Sequence, residues 1–299
     1  MAQFFQQVVS GIASGGIYGL LALALVLIHR ATGVVNFAQG EMAMFATYIA
    51  WTLTTNHGVS YWPAFAITLL ASFAGGFGIH QAVIRPVERG SQIRVVIVTI
   101  GLLLMLNGLA TWIWTGEVRA VQSPFPGGTF EIGDVAIAYA DVGTIAVCFA
   151  AVLVMWAFFQ FTKVGLALRA AAVNPNEARL VGVRVPLMLG LGWGLAAVLG
   201  AIAGMLTAPS VFLDPNMMQS VLIYAFAAAV LGGIDSPIGA VVGGLVIGVL
   251  LNMLSYLSQY GAFDWFTEEL RLPMALLIIL GVLLVRPQGI FGKPEVKRV

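Results

Sequence analysis

The sequence predicts an all-α protein, a polytopic bundle of about eight or nine membrane-crossing helices that carries one short cytoplasmic helix and a small external hairpin. Three observations predict it. Only 9% of the 299 residues are charged and 60% are hydrophobic, where soluble proteins carry about 25% charged residues; the mean hydropathy is +0.97. Apolar runs of about 20 residues, the length that crosses a bilayer core, recur from end to end and leave no room for a separate soluble domain, so 1–299 reads as a single transmembrane domain. The charges in the gaps between runs alternate in sign, as successive crossings require.

Taken in order, the runs are 8–28, 34–53, 62–84, 95–114, 142–161, 186–208, 217–231, 237–256 and about 272–285. The seventh and ninth are short, which leaves eight or nine spans open. The first is expected to stay in the mature chain, because MAQFFQQVVSG lacks the basic region and cleavage pattern of a removable signal. The second is entered through ATGVVNFAQGEMAMFATY, which sets Asn36, Gln39 and Glu41 at the edge of an apolar stretch. A carboxylate at mid-bilayer costs roughly 2.5–3.5 kcal/mol. Glu41 is therefore expected near an interface, in a wet cavity or paired, either as part of a broken helix whose polar side chains satisfy free backbone groups or on a solute path. Asn107, inside GLLLMLNGLATW, reads as an interhelical hydrogen bond or a solute contact.

Segment 116–143 holds SPFPGG and then TFEIGDVAIAYADV. Its partial alternation around Gly133-Asp134 predicts a hairpin, either a surface cap or a docking site. The fifth run contains the sole cysteine, Cys148, which excludes an intramolecular disulfide and a cysteine metal cluster. Segment 162–185 is the longest basic interruption, with Lys163, Arg169, Arg179 and Arg184 against Glu177 alone. Asn174-Pro175-Asn176-Glu177 reads as a helix start, with Asn as cap, Pro at the first helical position and Glu three residues on. The helix that follows, through Ala178 and Arg179 to about Gly182, is roughly two turns. Isolated helices that short are marginal, so it is expected to pack against another protein.

Small residues recur at helical spacing: Gly11, Gly15 and Gly19; Gly200 and Gly204; Gly239, Gly243, Gly244 and Gly248. Such faces let helix backbones approach closely in lipid, within the bundle or at a subunit interface. Between the seventh and eighth runs GGIDSP turns the chain, with Asp235 or Ser236 able to cap the next helix.

The positive-inside rule orients these elements. Gap 85–94 carries three basic residues against Glu88, segment 117–141 is acidic but for Arg119, 162–185 is basic, and the tail holds Arg286, Lys293, Lys297 and Arg298. Four runs separate the last two, which returns the tail to the same side. The N-terminus is then external, the C-terminus cytoplasmic, and only Arg119 and Arg271 of the 14 Lys and Arg lie outside. A formal charge of +1 offers no overall attraction for nucleic acid.

Catalytic constellations are absent from the sequence. Gly292-Lys293 is followed by Pro294 without the glycine offset of a phosphate loop, and His29, His57 and His80 have no metal-ligand spacing around them. No cofactor is expected, and uphill transport would need a partner or an ion gradient. A secondary transporter would want an intramembrane ionisable pair, for which Glu41 is the only carboxylate within a run. An aquaporin-like pore would need two Asn-Pro half-helices, and Asn174-Pro175-Asn176 stands alone in a basic gap.

GVVNFAQGEMAM at 33–44, GLALRAAAVNPNEARLVGV at 165–183, AFAAAVLGGIDSPIGAVVGGLVIG at 225–248 and LLVRPQGIFGKPEVKRV at 283–299 together resemble the inner-membrane permease subunits of branched-chain amino-acid ABC transporters, in the same order over nearly the whole length. The resemblance is specific for the permease family and less so for the solute, since related permeases serve urea and short amides. It implies a bacterial inner-membrane importer of two permeases, two cytoplasmic ATPases and an external solute-binding protein, in which this chain looks like the smaller permease. It also implies that the helix at 174–182 is the segment that couples to the ATPases, with Arg169, Asn174, Pro175, Asn176, Glu177, Ala178, Arg179 and Gly182 as its candidate contacts. Asn36, Gln39, Glu41 and Asn107 are candidates for the translocation path on polarity alone.

Overall fold

A computed structural model of the chain describes residues 2–88, 90–133, 135–258 and 267–292. Arg89, Asp134, Lys293, Lys297 and Arg298, all used above in reading charge or turn, lie outside the described residues.

Each of the nine apolar runs forms a helix. They are α1 (Ala2–Thr32), α2 (Gln39–Thr55), α3 (Tyr61–Ile84, its last turn wound as a π-helix), α4 (Gln92–Trp114), α5 (Tyr139–Phe161), α8 (Val185–Val211), α9 (Gln219–Gly232), α10 (Pro237–Ser258) and α11 (Arg271–Val285). Among the described residues, six are long and apolar enough to cross a membrane alone; α2, α9 and α11, of 17, 14 and 15 residues, are shorter. Two further helices, α6 (Lys163–Val173) and α7 (Pro175–Leu180), occupy the basic interruption, where one helix was expected. The hairpin forms as β1 (Thr129–Ile132) against β2 (Val135–Ala138), antiparallel with Thr129 facing Ala138. Gly133 at φ +63° supplies the left-handed turn residue that the sequence assigned there.

The chain clusters into two compact units. One comprises residues 1–26, 125–147 and 220–299. Within it the Gly11–Gly15–Gly19 stripe of α1 meets α10 backbone to backbone: a Cβ on Gly15 would stand 2.8 Å from both the Gly244 carbonyl and the Leu245 Cα. Ser10 Oγ donates to Asp141 Oδ2 at 2.6 Å. The segment after α11 folds back on the end of α9, where the Ile290 and Phe291 amides donate to the Leu231 and Gly232 carbonyls at 2.8 and 3.0 Å. Ser236 Oγ caps α10 by accepting from the Gly239 amide at 3.0 Å, which is the capping role expected of GGIDSP.

The other unit comprises residues 27–124 and 148–219, and α8 is its spine. Helix α3 lies against one face of α8, where Gly76 would crowd the Trp193 carbonyl at 2.7 Å and Gly194 the Phe73 ring at 2.9 Å if either carried a Cβ. Helix α2 lies on another face, with Ala46, Ala50, Ala201 and Met205 in one buried cluster. Trp114, at the end of α4, stacks on Tyr48 of α2 with ring centroids 4.9 Å apart and donates through Nε1 to Thr52 Oγ1 at 2.8 Å. This second unit holds every residue proposed above for the path and for the short polar helix.

Candidate functional site

The second apolar run does not begin as a helix at 34. Gly33, at φ +70°, closes α1 with its amide on the His29 carbonyl at 2.7 Å, the left-handed termination that glycine allows. Asn36 then makes an Asx-type turn, its Oδ1 accepting from the Ala38 amide at 3.1 Å, and α2 starts only at Gln39. The Asn36 amide donates to Gln39 Oε1 at 3.2 Å, and Gln39 Nε2 donates to the Ala196 carbonyl of α8 at 2.9 Å. Both side chains are fully buried. Ala196 lies about 16 Å along α8 from Val185 at 1.5 Å per residue, so α2 starts beside the middle of α8. The break thus sits deep beside α8. Gly200 makes room for the Gln39 amide, which a Cβ there would approach to 2.7 Å.

Glu41 and Asn107 meet. Asn107 Nδ2 donates to the Pro215 carbonyl at 2.9 Å and to Asn216 Oδ1 at 3.2 Å, and stands 3.5 Å from Glu41 Oε2. An amide nitrogen has two protons to give, so of the three acceptors the carboxylate is the loosest held. Glu41 is 4% exposed and Asn107 half-buried. The loop after α8 completes the group: Gln219 Nε2 also donates to Asn216 Oδ1 at 2.9 Å, and Asp214 Oδ1 accepts from the Asn216 amide at 2.6 Å. The four polar candidates therefore divide into a pair that ties the broken helix to α8 and a pair that faces a converging set of oxygens. Sequence reasoning missed Pro215 and Asn216. The polar Asp-Pro-Asn between two apolar runs was the available signal.

The basic interruption is more elaborate than a single capped helix. Asn174 Oδ1 accepts from the Asn176 and Glu177 amides at 3.2 Å each, with Pro175 at the first position, as its sequence implied. Glu177 does not complete a capping box, because the Asn174 amide it would take already donates to the Ala170 carbonyl at 3.1 Å; its carboxylate is exposed and free of the cap. The helix closes in a Schellman motif, with Gly182 at φ +86°, its amide on the Arg179 carbonyl and the Val183 amide on the Ala178 carbonyl, both at 3.0 Å. Ala178, expected among the contacts to a partner, instead faces its own chain: it is 4% exposed in a cluster with Leu168, Ala171, Val185, Met188 and Leu189. Arg169 on α6 is half-buried, while Pro175, Asn176, Glu177, Arg179 and Gly182 are exposed. So are Leu180 and Val181, at 88% and 78%.

Among the described residues no group of three His, Cys, Asp or Glu could hold a metal. His80 and Glu88, eight residues apart, pair at 3.2 Å where the π-helical end of α3 runs into the following turn. Gln81 in the same turn donates to the Pro186 carbonyl at 3.3 Å, which joins the end of α3 to the start of α8.

Residues 7–285 match the family described as branched-chain amino acid transport system / permease component. The chain is 30% identical to the high-affinity branched-chain amino acid transport system permease protein BraD of Pseudomonas aeruginosa, over 99% of this chain and 98% of that protein. It is equally 30% identical to the corresponding permease protein LivH of Escherichia coli, again over 99% and 98%. Among solved structures, PsaBC from Streptococcus pneumoniae in complex with Fab shares the fold, with a TM-score of 0.50 at 15% identity over 93% of this chain and 91% of that one.

Proposed function

This chain belongs to the family of branched-chain amino acid transport system permease components, and on that premise we propose that it forms half of the translocation path of an ATP-driven importer for branched-chain and other hydrophobic amino acids. The other half comes from a second, different permease. Two cytoplasmic ATPase subunits supply the energy, and an external solute-binding protein delivers the cargo. The whole chain acts as one permease domain in a bacterial inner membrane, N-terminus outside and C-terminus in the cytoplasm, as the alternating charges favour.

The observation that carries the reading is α7. A six-residue helix is anchored by Ala178 to α8 and presents Glu177, Arg179, Leu180 and Val181 outward. Exposed leucine and valine at the tip of a capped, charged helix mark a surface that a partner covers. When the ATPases close, they push this face. The push passes through Ala178 to Val185, Met188 and Leu189 at the start of α8, and α8 grips α2 through the Ala196–Gln39 hydrogen bond. Two residues further along α2 sits Glu41. Its loosely held oxygen, with the Pro215 carbonyl, offers acceptors for the ammonium of a passing amino acid.

The test is reconstitution with the cognate ATPases and binding protein. Leucine uptake is expected to require ATP and to persist when ion gradients are collapsed. Proton-driven uptake by this chain alone would sink the reading, and retention of urea or a short amide by the cognate binding protein would replace the solute.

A further inference from the structure

A cavity of about 710 Å³ opens in the 27–124 and 148–219 unit, between the last turns of α2, the first turn of α3 and the loop at 119–123. Its volume falls within the ~300–1,000 Å³ of small-molecule sites. One wall is apolar, made by Ala50, Ala64, Phe65 and Met205, and Arg119 faces it as the one charged lining residue among those described.

Arg119 is held from several directions. Its backbone pairs with Leu213 in both directions at 2.9 and 2.8 Å. Its guanidinium carbon stands 4.3 Å from the centroid of the Trp51 ring, and Nη2 donates to the Trp114 carbonyl at 2.5 Å and to Thr115 Oγ1 at 3.3 Å. Trp114 is itself fixed by Thr52 and Tyr48. The two residues that turn the chain into this pairing, Thr115 and Phe212, hold left-handed φ values of 66° and 64° without being glycine, and such outliers cluster where a site demands them.

A cation so positioned has, among the described residues, no carboxylate in salt-bridge range. Asp214, beside Leu213, turns one carboxylate oxygen to the Asn216 amide instead. A guanidinium pre-organised by stacking and hydrogen bonds is suited to a carboxylate. The counterpart that this charge and this apolar wall suit is an anion with an apolar body.

We propose that this cavity is a receiving site for a small aliphatic carboxylate, paired to Arg119 with its hydrocarbon against Phe65 and Met205, and separate from the Glu41–Asn107 group. The site rests on the permease reading only in making that ligand the cargo; the pairing itself stands on the geometry of the cavity.

The probes are leucine, isovalerate, which lacks the amine, and leucinamide, which lacks the carboxylate. Each is titrated against the purified full-length chain in lipid nanodiscs. Leucine and isovalerate are expected to bind, leucinamide at least tenfold more weakly, and Arg119→Gln to weaken the first two at least tenfold while leaving leucinamide unchanged. A second measurement needs no variant. Modification of Arg119 by phenylglyoxal, followed by mass spectrometry, should be slowed by leucine and isovalerate and not by leucinamide. Equal affinity for leucine and leucinamide, no protection of Arg119, or no binding by the wild-type chain overturns the site. Loss of solute-binding-protein capture in Arg119→Gln with leucine affinity intact also overturns it, by assigning the arginine to a protein carboxylate. ATP-driven amino-acid uptake by the assembled wild type is measured in parallel. If it is present while Arg119 fails these tests, the receiving site falls and the permease reading stands; if it is absent, the permease reading falls by itself.

Discussion

Replacing Asn174 with Ala removes one side-chain oxygen that accepts from two backbone amides, those of Asn176 and Glu177, at 3.2 Å each. Loss of such a cap costs about 1 kcal/mol. Helix α7 has six residues and no length over which to spread that loss, so the cost falls on its local opening. A change of about 1 kcal/mol is roughly a fivefold change in an equilibrium constant. Hydrogen exchange across 176–181 should therefore speed up about fivefold, with the rest of the chain unchanged, since Ala178 and the glycine termination at Gly182 remain. Asn174→Asp keeps an acceptor and should restore the wild-type rate; Asn174→Gly should lie between, because glycine at a cap loses only a few tenths of a kcal/mol. In the assembled transporter, uptake per ATP should fall in the same order. Unchanged exchange in Asn174→Ala, or an aspartate variant that behaves like alanine, would refute the reasoning.

Other outcomes test the remaining contacts. Gly15→Ala puts a Cβ 2.8 Å from two backbone atoms of α10, neither of which can yield without the helices parting; a loss of about 1–3 kcal/mol should lower the thermal midpoint in detergent, whereas Gly75→Ala, with nothing within 4 Å, should be neutral or gain up to about 1 kcal/mol. Gln39→Leu strips the buried amide that joins Asn36 to the Ala196 carbonyl and should cost about 1–3 kcal/mol, read in the same assay. Asn107→Ala should raise the KM for uptake and leave ATPase turnover near wild type; an unchanged KM would remove that residue from the path. Because the sole native cysteine is buried, Ser123→Cys should react with an impermeant thiol reagent in intact cells and Val181→Cys only after lysis, and the reverse pattern would invert the proposed topology.

Much of this molecule is written in local chemistry. The nine apolar runs became nine helices because in lipid every backbone group must be satisfied within the segment, and that condition needs nothing but hydrophobic length. The cap at Asn174, the hairpin around Gly133 and the break near Asn36 were legible for the same reason: each depends on side chains within a few residues of the backbone they bond. Glu177 shows the limit of such reading. Its spacing fits a capping box, but α6, not foreseen as a separate helix, supplies the Ala170 carbonyl that takes the Asn174 amide first.

By itself, then, the sequence determined the fold class, the membrane habitat and the chemistry of the short helix, all of which follow from composition and near-neighbour spacing. Only tertiary structure decided which polar residues act together. Gln39 spends its amide on Ala196, 157 positions away; Asn107 gathers Glu41 with a loop more than a hundred residues on; Ala178 turns inward. Partners so distant in the chain are chosen by how helices lie against one another, and that follows from where small residues such as Gly204 let two backbones approach.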